Sequence, residues 1–227
     1  MSQPKDVEFV VRGIAQTAVD NEKYFCELDA VVGDGDFGYS LARGFERVLE
    51  EWDNLDHSTP GAFLKKVATV IVGRVGGVSG TVWGTAFLRA GMTLGNKAAA
   101  DVTCDDVIAM LRSAVEGIKK RGETDLGDKT LLDALVPATD RLESSFKQGE
   151  DAGAAIGKAA VVARECAEAT RPMIAKKGRA AYTGERSIGT LGPGTRRRGG
   201  HPQAPNSAPE PRAGRRPAGT GDTVASG

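Results

Sequence analysis

Apolar residues recur every three to four positions along most of this chain, which is the spacing of amphipathic α-helices. Residues 69–72, Thr-Val-Ile-Val, would also suit a strand, but their flanks keep the helical spacing. No convincing strand remains, and the connections between apolar segments are short. Seven helices are predicted: residues 4–22, residues 38–52, a third that begins at Pro60, a fourth that ends near residue 95, a fifth capped by Asp101 or Thr103, a sixth that carries Leu131 to Leu142, and a seventh from Asp151 to about residue 171.

This pattern predicts an all-α protein whose helices form an up-and-down antiparallel bundle or barrel. Alternate connections then lie at the same end of the bundle. The loops after the first, third, fifth and seventh helices are therefore expected to share one rim. The predicted buried face of the first helix is Val7, Val10, Ile14 and Ala18. That of the seventh helix is Ile156, Ala160, Ala163 and Ala167.

The connection after the first helix concentrates acidic residues. Asp29, Asp34 and Asp36 lie within eight residues, and three glycines between residues 33 and 38 favour a tight turn. Convergent carboxylates repel one another, and a hard divalent cation such as Mg²⁺ or Ca²⁺ removes that repulsion. Asp-Gly is also an ordinary turn signal, so a metal site and a solvated turn both remain open. A calcium helix-loop-helix loop is excluded, because its twelfth position, counted from Asp34, is Phe45 rather than Glu.

Two of the other three connections are candidates for anion binding. Gly76–Thr85 opens a helix, so its amides can approach a phosphate and Ser79 adds a hydroxyl donor; close helix packing would also explain these glycines. Residues 121–129 form a polar loop. Residues 173–189 form a basic loop, in which Arg179 could bind a phosphate or remain solvated. A metal, amide donors and an arginine at one rim would fit a nucleotide polyphosphate with Mg²⁺.

Composition restricts the classes of function. Residues 191–227 hold six Arg against two acidic residues, so the rest of the chain is net acidic and lacks the basic surface of a nucleic-acid-binding protein. The sequence has neither a charged-then-apolar leader nor an apolar run of 18 residues, which predicts a cytoplasmic protein with no membrane contact. Two histidines and three widely spaced cysteines argue against a Ser-His-Asp or Cys-His hydrolase and against a zinc site.

The character of the sequence changes near residue 190. Residues 191–227 contain six of the ten prolines and eight of the thirty glycines, and no Phe, Tyr, Trp, Ile or Met. Such a segment cannot bury enough apolar surface to offset its ordering entropy. We therefore predict a nucleotide-binding helical domain over residues 1–190 and a disordered tail rich in Pro, Gly and Arg over residues 191–227.

Four ordered blocks together resemble a known family, the nucleotide-binding L subunit of dihydroxyacetone kinase, which also forms the C-terminal domain of single-chain dihydroxyacetone kinases. The resemblance spans about residues 5–190. It implies an eight-helix up-and-down barrel with the nucleotide at its rim. The blocks are Leu28–Asp36, Gly76–Gly80 with Gly84 and Thr85, Gly127–Thr130 with Asp133, and Lys177–Gly189.

The resemblance also implies a set of site residues. Asp29, Asp34 and Asp36 match the family's ligands for two Mg²⁺ ions, which bridge the phosphates of ADP or ATP. Gly192, Pro193 and Gly194 stand where the family usually reads Asp-Pro-Gly. The positions that match nucleotide contacts are Phe37, Gly38, Tyr39, Ser40, Val78, Ser79, Gly122, Leu131, Arg179, Gly192, Pro193 and Gly194.

The implied chemistry is metal-assisted phosphoryl transfer to dihydroxyacetone or a related short ketose. In the family, a histidine of a separate K-type subunit or domain holds this acceptor covalently, which agrees with the scarcity of histidine here. In one branch the ADP stays bound and is rephosphorylated by a phosphotransferase-system protein. That branch often has His after the last aspartate, where this chain has Phe37. The resemblance leaves a homodimer open.

The end of the chain departs from the family. The family continues into a last amphipathic helix, whereas this chain continues into the Pro/Gly/Arg-rich tail, as if the reading frame had changed or the terminus had been replaced. Loss of that helix would expose the apolar interior of the barrel, which predicts reduced stability. The alternative functions are therefore a nucleotide-sensing module that binds a regulator, or an inactive subunit.

Overall fold

The computed structural model describes residues 5–191, and helices make up all the regular secondary structure within them. Residues 1–4 and 192–227 lie outside the described residues. The predicted disordered tail, residues 191–227, therefore falls there apart from Leu191, which is buried. Residues 5–191 contain no strand, in agreement with the predicted all-α class. The α-helices are α1 (Lys5–Asp20), α2 (Glu22–Ala30), α3 (Phe37–Glu50), α4 (Pro60–Arg74), α5 (Gly77–Leu94), α6 (Cys104–Gly122), α7 (Leu132–Lys147) and α8 (Ala152–Ala169), with 3-10 helices at Trp52–Asn54, Ala99–Asp101 and Arg179–Ser187.

One helix, α2, occupies a stretch that the sequence pattern assigned to a loop. The first helix ends at Asp20, and the Asn21 side chain donates to the Thr17 carbonyl at 2.8 Å, which caps the last turn of α1. None of the α2 residues is fully buried, so the helix carries little amphipathic signal. Its Phe25 is nonetheless packed against the main core. The described residues thus contain eight α-helices rather than seven, and Asp29 lies in the last turn of α2 rather than in a loop.

The main core lies between α1, α3, α4 and α5. Phe45 of α3 and Phe63 and Ile71 of α4 are fully buried. The Phe45 ring meets the Trp83 ring of α5 edge to face, with the centroids 5.8 Å apart. This core fixes α3, the helix that begins directly after the aspartates.

The buried faces of two helices differ from the prediction by one position over part of their length, while Ala18 of α1 and Ala167 of α8 are buried as predicted. In α1, Val11, Ala15 and Ala18 are buried, whereas Val10 is 51% exposed. In α8, the buried residues are Ala155, Ala159 and Ala167, and Ile156 is exposed. The α8 sequence is rich in alanine on every side, so its apolar spacing does not select one face. Small residues allow α8 to pack closely against α7.

Helix starts agree with the sequence signals. The Thr59 hydroxyl accepts from the Ala62 amide at 3.1 Å, directly before Pro60. Thr103 and Asp106 form a capping box at the start of α6, and the Asp151 carboxylate accepts from the Ala154 amide at 3.0 Å. These caps fix where the connections end and the helices begin.

The helices from α3 to α8 each pack against the next helix in the chain, while α1 and α2 pack against α3. Two residues, Val75 and Gly76, connect α4 to α5, so α5 must run back along α4. This order favours a shared end for alternate connections. Among residues 5–191, no helix is both long enough and apolar enough to span a bilayer.

Candidate functional site

Three carboxylates converge between α2 and α3. Asp29 lies in the last turn of α2, Asp34 lies in the turn that follows, and Asp36 occupies the cap position of α3. One ligand oxygen from each residue lies within 4.8 Å of the others. Gly35 has a φ of +76°, a conformation that suits glycine, and its amide donates to Asp29 Oδ2 at 2.9 Å. The turn therefore directs all three side chains towards one point, as the spacing predicts.

Two further glycines in this turn are required by close approaches. A Cβ at Gly33 would lie 2.7 Å from Asp29 Cγ and 2.8 Å from its Oδ2, and nearer still to Oδ1. A Cβ at Gly38 would lie 2.6 Å from the Cys26 amide nitrogen. Gly33 thus leaves room for the Asp29 carboxylate, and Gly38 lets α3 pack directly on α2.

The fold places one cation against this acidic cluster. Arg179 Nη1 pairs with Asp34 Oδ2 and lies 3.4 Å from Asp36 Oδ1, although 143 residues separate Arg179 from Asp36. Like charges at this spacing repel by about 1 kcal/mol per pair in water. The Arg179 side chain is 62% exposed, and solvent screening limits such an ion pair to about 0–1 kcal/mol. An incoming ligand can therefore displace it.

The chemistry of this donor set fits a hard divalent cation. Mg²⁺ takes oxygen ligands at about 2.1 Å, so opposite ligands stand about 4.2 Å apart. The three aspartates offer only oxygens, and their ligand atoms span at most 4.8 Å. Small inward movements of exposed side chains would complete the coordination. Which ions bind, and how many, belongs to the proposal below.

The first turn of α3 offers main-chain donors beside the aspartates. Phe37, Gly38, Tyr39 and Ser40 form this turn, and a helix N-terminus favours an anion. The Tyr39 amide already donates to Cys26 Sγ at 3.2 Å and the Ser40 amide to the Asp36 carbonyl at 2.9 Å. The Phe37 ring packs edge to face on Phe25 at 6.2 Å, so this side chain supports the core. Only main-chain groups of Phe37 and Gly38 are therefore suited to meet a phosphate. The Tyr39 side chain is exposed.

The glycine-rich turn at Gly76–Gly80 opens α5 beside α3. Val75, which precedes it, is buried and occupies the space that a Cβ at Gly44 of α3 would need. The candidates Val78 and Ser79 lie in the first turn of α5, and Ser79 is half-buried. Within residues 5–191, no hydrogen bond or ion pair connects Ser79 with the aspartates. The turn is therefore near α3, but a direct link to the acidic cluster is not part of the structure.

Gly122 and Leu131 flank the α6–α7 connection. Gly122 is the last residue of α6, and Leu131 directly precedes α7. A surface cavity of about 500 Å³ opens beside them, although neither residue lines it. Inside this cavity Lys119 and Asp125 pair at 2.9 Å, which raises the pKa of Lys119 and lowers that of Asp125. The cavity lining is Glu116, Lys119, Lys120, Glu123, Thr124, Asp125 and Asp128.

A non-α-helical segment, residues 171–189, brings Arg179 to the aspartates; we call it the strap. Gly178, at a φ of +64°, turns the chain into the 3-10 helix Arg179–Ser187. Ala175 and Ala180 of the strap pack on Val32 of the aspartate turn, and all three residues are buried. This small apolar cluster joins the basic loop to the acidic one. It holds the loop against the aspartate turn, while the Arg179 side chain itself stays 62% exposed.

Lys129 was not among the predicted site residues. It is 1% exposed, and its ammonium donates to the carbonyls of Met173 at 3.0 Å and Ser187 at 2.6 Å. Burial lowers the pKa of Lys129, and the nearby Arg171 adds to that effect. Hydropathy patterns assign lysine to the surface, so they give no signal for such a contact. The predicted contacts at Gly192, Pro193 and Gly194 lie outside the described residues.

Comparison with known proteins identifies relatives of this arrangement. The sequence profile described as the DAK2 domain matches residues 31–197. The ADP-binding subunit DhaL of the PEP-dependent dihydroxyacetone kinase of Escherichia coli (strain K12) is 36% identical over 172 residues, which cover 76% of this chain and 81% of that protein. The corresponding subunit of PEP-dependent dihydroxyacetone kinase 2 of Listeria innocua is 35% identical over 186 residues, covering 76% of this chain and 79% of that protein.

A solved structure shares the fold. The crystal structure of the dihydroxyacetone kinase of C. freundii in its native form superposes with a TM-score of 0.64 at 25% identity. The match covers 86% of this chain but 33% of that chain. This chain thus spans about one third of the length of the crystallised kinase, and most of its own length takes part in the match.

Proposed function

Because the chain belongs to the DAK2 domain family, we propose that it is the Mg-nucleotide-binding subunit of a kinase for dihydroxyacetone or a related short ketose. Its curated relatives are subunits of phosphotransferases that act on an alcohol group. The observation that carries the proposal is the convergence of Asp29, Asp34 and Asp36 within 4.8 Å, with Arg179 directly against them. Such a site has ligands for a divalent cation and a counter-charge for phosphate.

In this proposal, Asp29, Asp34 and Asp36 hold two Mg²⁺ ions. Bound there, the ions would supply charge neutralisation and orientation of the nucleotide phosphates. The first turn of α3 donates main-chain N–H groups to phosphate oxygens. Arg179 exchanges its carboxylate partners for the phosphates, because guanidinium matches both acceptors with the same fork of donors.

The remaining candidate residues contact other parts of the nucleotide. Val78 and Ser79 contact it from the first turn of α5. Gly122 and Leu131 contact it from the two ends of the α6–α7 connection, where the backbone turns between two helices. The three positions from Gly192 to Gly194 complete the set as further proposed contacts.

The acceptor comes from a partner in this proposal. A K-type subunit holds the ketose covalently on its own histidine and presents it at the rim. In the described part of the chain, His57 is the histidine present, and its ring nitrogens bind Glu8 at 2.9 Å and the Trp52 carbonyl at 2.8 Å. This histidine is engaged in joining α1 to the segment before α4, so it is not offered as the covalent carrier.

Two phosphoryl donors are open for this site: exchangeable ATP, or resident ADP rephosphorylated by a phosphotransferase-system protein. The printed names of the two relatives reported above, PEP-dependent kinases with an ADP-binding subunit, favour the second. Phe37 favours the first, because its ring is packed on Phe25 and cannot act as a histidine would.

The proposal is tested by reconstitution with a K-type subunit and dihydroxyacetone. Product formation is measured with Mg-ATP, and separately with Mg-ADP plus the phosphotransferase proteins and phosphoenolpyruvate. Product in either mixture, lost on Asp34→Asn, supports the proposal, and the productive mixture identifies the donor. Absence of product in both mixtures, despite Mg-ADP binding, contradicts catalysis.

A non-catalytic nucleotide-sensing module, or an inactive subunit, is the second candidate. Exposed apolar side chains on two helices favour it, namely Phe9 at 76% and Val10 on α1, and Ile156 and Val161 on α8. Such surfaces suit a regulator or reflect an incomplete barrel. Nucleotide binding that survives while the reconstituted kinase shows no turnover would support this candidate.

A further inference from the structure

Lys129 is a buried lysine whose partners all belong to the strap. Its ammonium lies 3.5 Å from the Arg171 carbonyl, 3.0 Å from that of Met173 and 2.6 Å from that of Ser187. These residues are 42 to 58 positions away in sequence. One side chain from the α6–α7 connection therefore reaches both ends of the strap.

The backbone around Lys129 is arranged to direct the ammonium inward. Lys129 has a φ of +61°, a left-handed conformation that is uncommon for a residue with a side chain. The Asp133 carboxylate holds the chain on both sides, since it accepts from the Gly127 amide at 2.5 Å and from the Thr130 amide at 2.7 Å. A strained residue that its neighbours hold in place is typical of a functional position.

The base of the strap is where these contacts meet. Arg171 and Gly189 exchange two hydrogen bonds: the Gly189 amide donates to the Arg171 carbonyl at 2.8 Å, and Arg171 Nη1 donates to the Gly189 carbonyl at 2.8 Å. The Ser187 hydroxyl accepts from the Ala175 amide at 2.9 Å. The Arg171 carbonyl, the first of the ammonium's partners along the chain, lies just beyond the C-terminus of α8.

The middle of the strap carries Arg179. Because Ala175 and Ala180 pack on Val32, and Arg179 pairs with Asp34, the strap lies on the aspartate turn over its central part. A change at its base would move the guanidinium relative to the carboxylates. The contacts at the base and those at the turn are therefore parts of one arrangement.

We propose that Lys129 is a positioning residue for the nucleotide site: its buried ammonium closes the base of the strap and thereby fixes Arg179 where the phosphates bind. This rests on the proposed function for the ligand, a Mg-nucleoside diphosphate. Lys129 itself does not touch the ligand. Its effect on binding must therefore act through Arg179.

The test is a double-mutant cycle on the full chain, with Mg-ADP affinity measured by calorimetry. Lys129→Met should weaken Mg-ADP at least tenfold in the wild-type background and less than twofold in Arg179→Gln, because the two residues act in series. Lys97→Met is the matched control. Lys97, in the connection between α5 and α6, donates from Nζ to the two Asp106 carboxylate oxygens at 2.6 and 2.7 Å. Loss of the Lys97 ammonium should change the Mg-ADP affinity less than twofold. Equal weakening in both Arg179 backgrounds, or wild-type affinity in Lys129→Met, overturns the proposal.

Hydrogen exchange separates this proposal from the proposed function. Lys129→Met should speed exchange of the Ala175 and Gly189 amides at least tenfold, while the Ala62 amide, bonded to Thr59, changes less than twofold. If the wild-type chain fails to bind Mg-ADP, the proposed function fails. Unchanged hydrogen exchange at the strap in Lys129→Met independently overturns the proposed role of Lys129. Should Lys129→Met lose its cooperative melt, Lys129→Gln, which keeps a neutral donor, enters the same cycle with the same criteria.

Discussion

Gly33→Ala isolates the placement of one proposed metal ligand. Gly33 does not lie in the left-handed region, so alanine can adopt its backbone conformation. The hydrogen bond from the amide of residue 33 to the Asp29 carbonyl is therefore retained. The three nearest atoms to the added Cβ all belong to the Asp29 carboxylate. The substitution therefore acts on this side chain and leaves the core unchanged.

The size of the effect follows from these distances. A Cβ at Gly33 would stand 2.7 Å from Asp29 Cγ and 2.8 Å from Oδ2, whereas ordinary contact begins at 3.4 Å. The carboxylate must retreat by roughly 1 Å, and loss of ligand orientation typically costs about 10–100-fold in metal affinity. We expect the affinity for Mg-ADP to fall by the same factor, about 1.4–2.7 kcal/mol.

Isothermal titration of Mg-ADP into the variant measures this effect. Gly73→Ala is the control, since nothing lies within 4 Å of its Cβ and alanine within α4 should stabilise by about 0.5–1 kcal/mol. Wild-type affinity in Gly33→Ala would refute the reasoning, because the Asp29 carboxylate would then have no part in binding.

Three further predictions concern the rim, pH and the core. Arg179→Gln should weaken Mg-ADP in calorimetry while changing the free energy of unfolding by no more than about 1 kcal/mol, because its ion pairs are exposed; a larger loss of stability would contradict a displaceable pair. Hydrogen bonding to Glu8, and to a smaller extent to the Trp52 carbonyl, raises the pKa of His57. Glu8→Gln should therefore lower the free energy of unfolding below about pH 6.5, and this loss should disappear as pH rises through the folded-state pKa of His57. Urea titrations showing the reverse pH dependence would refute the assignment. Phe63→Ala should cost about 3–5 kcal/mol in the same assay, since Phe63 is fully buried, and a cost under 1 kcal/mol would contradict the core.

Several helices follow directly from local signals in the sequence. For α4, Thr59 and Pro60 mark the start, and the apolar spacing of its residues selects one face. By contrast, α2 was missed because none of its residues is fully buried. The α8 face was wrong by one position because alanines surround the helix. Local rules thus succeed where one side of a helix differs clearly from the other.

The residues of the candidate site also differ in how far local sequence rules predict them. The aspartates could be grouped from their spacing, because a short turn determines their geometry. The contact of Arg179 with Asp34 depends on how distant loops meet. The up-and-down order predicts four connections at one rim, and of these the strap and the aspartate turn are in direct contact. Lys129 lies in the block Gly127–Thr130 that the resemblance singles out, but its burial could not be predicted, because it depends on three carbonyls that only the folded strap brings together.

The most direct test of the central claim is a thermal melt of the full chain with and without Mg-ADP and Mg-ATP, beside Asp34→Ala. A ligand that binds only the folded state at a hundredfold excess over its Kd adds about 2.7 kcal/mol of stability. The proposed site predicts a rise in Tm that requires Mg²⁺ and disappears in Asp34→Ala. An unchanged Tm with both nucleotides, or an equal rise in the variant, would contradict a Mg-nucleotide site at these aspartates.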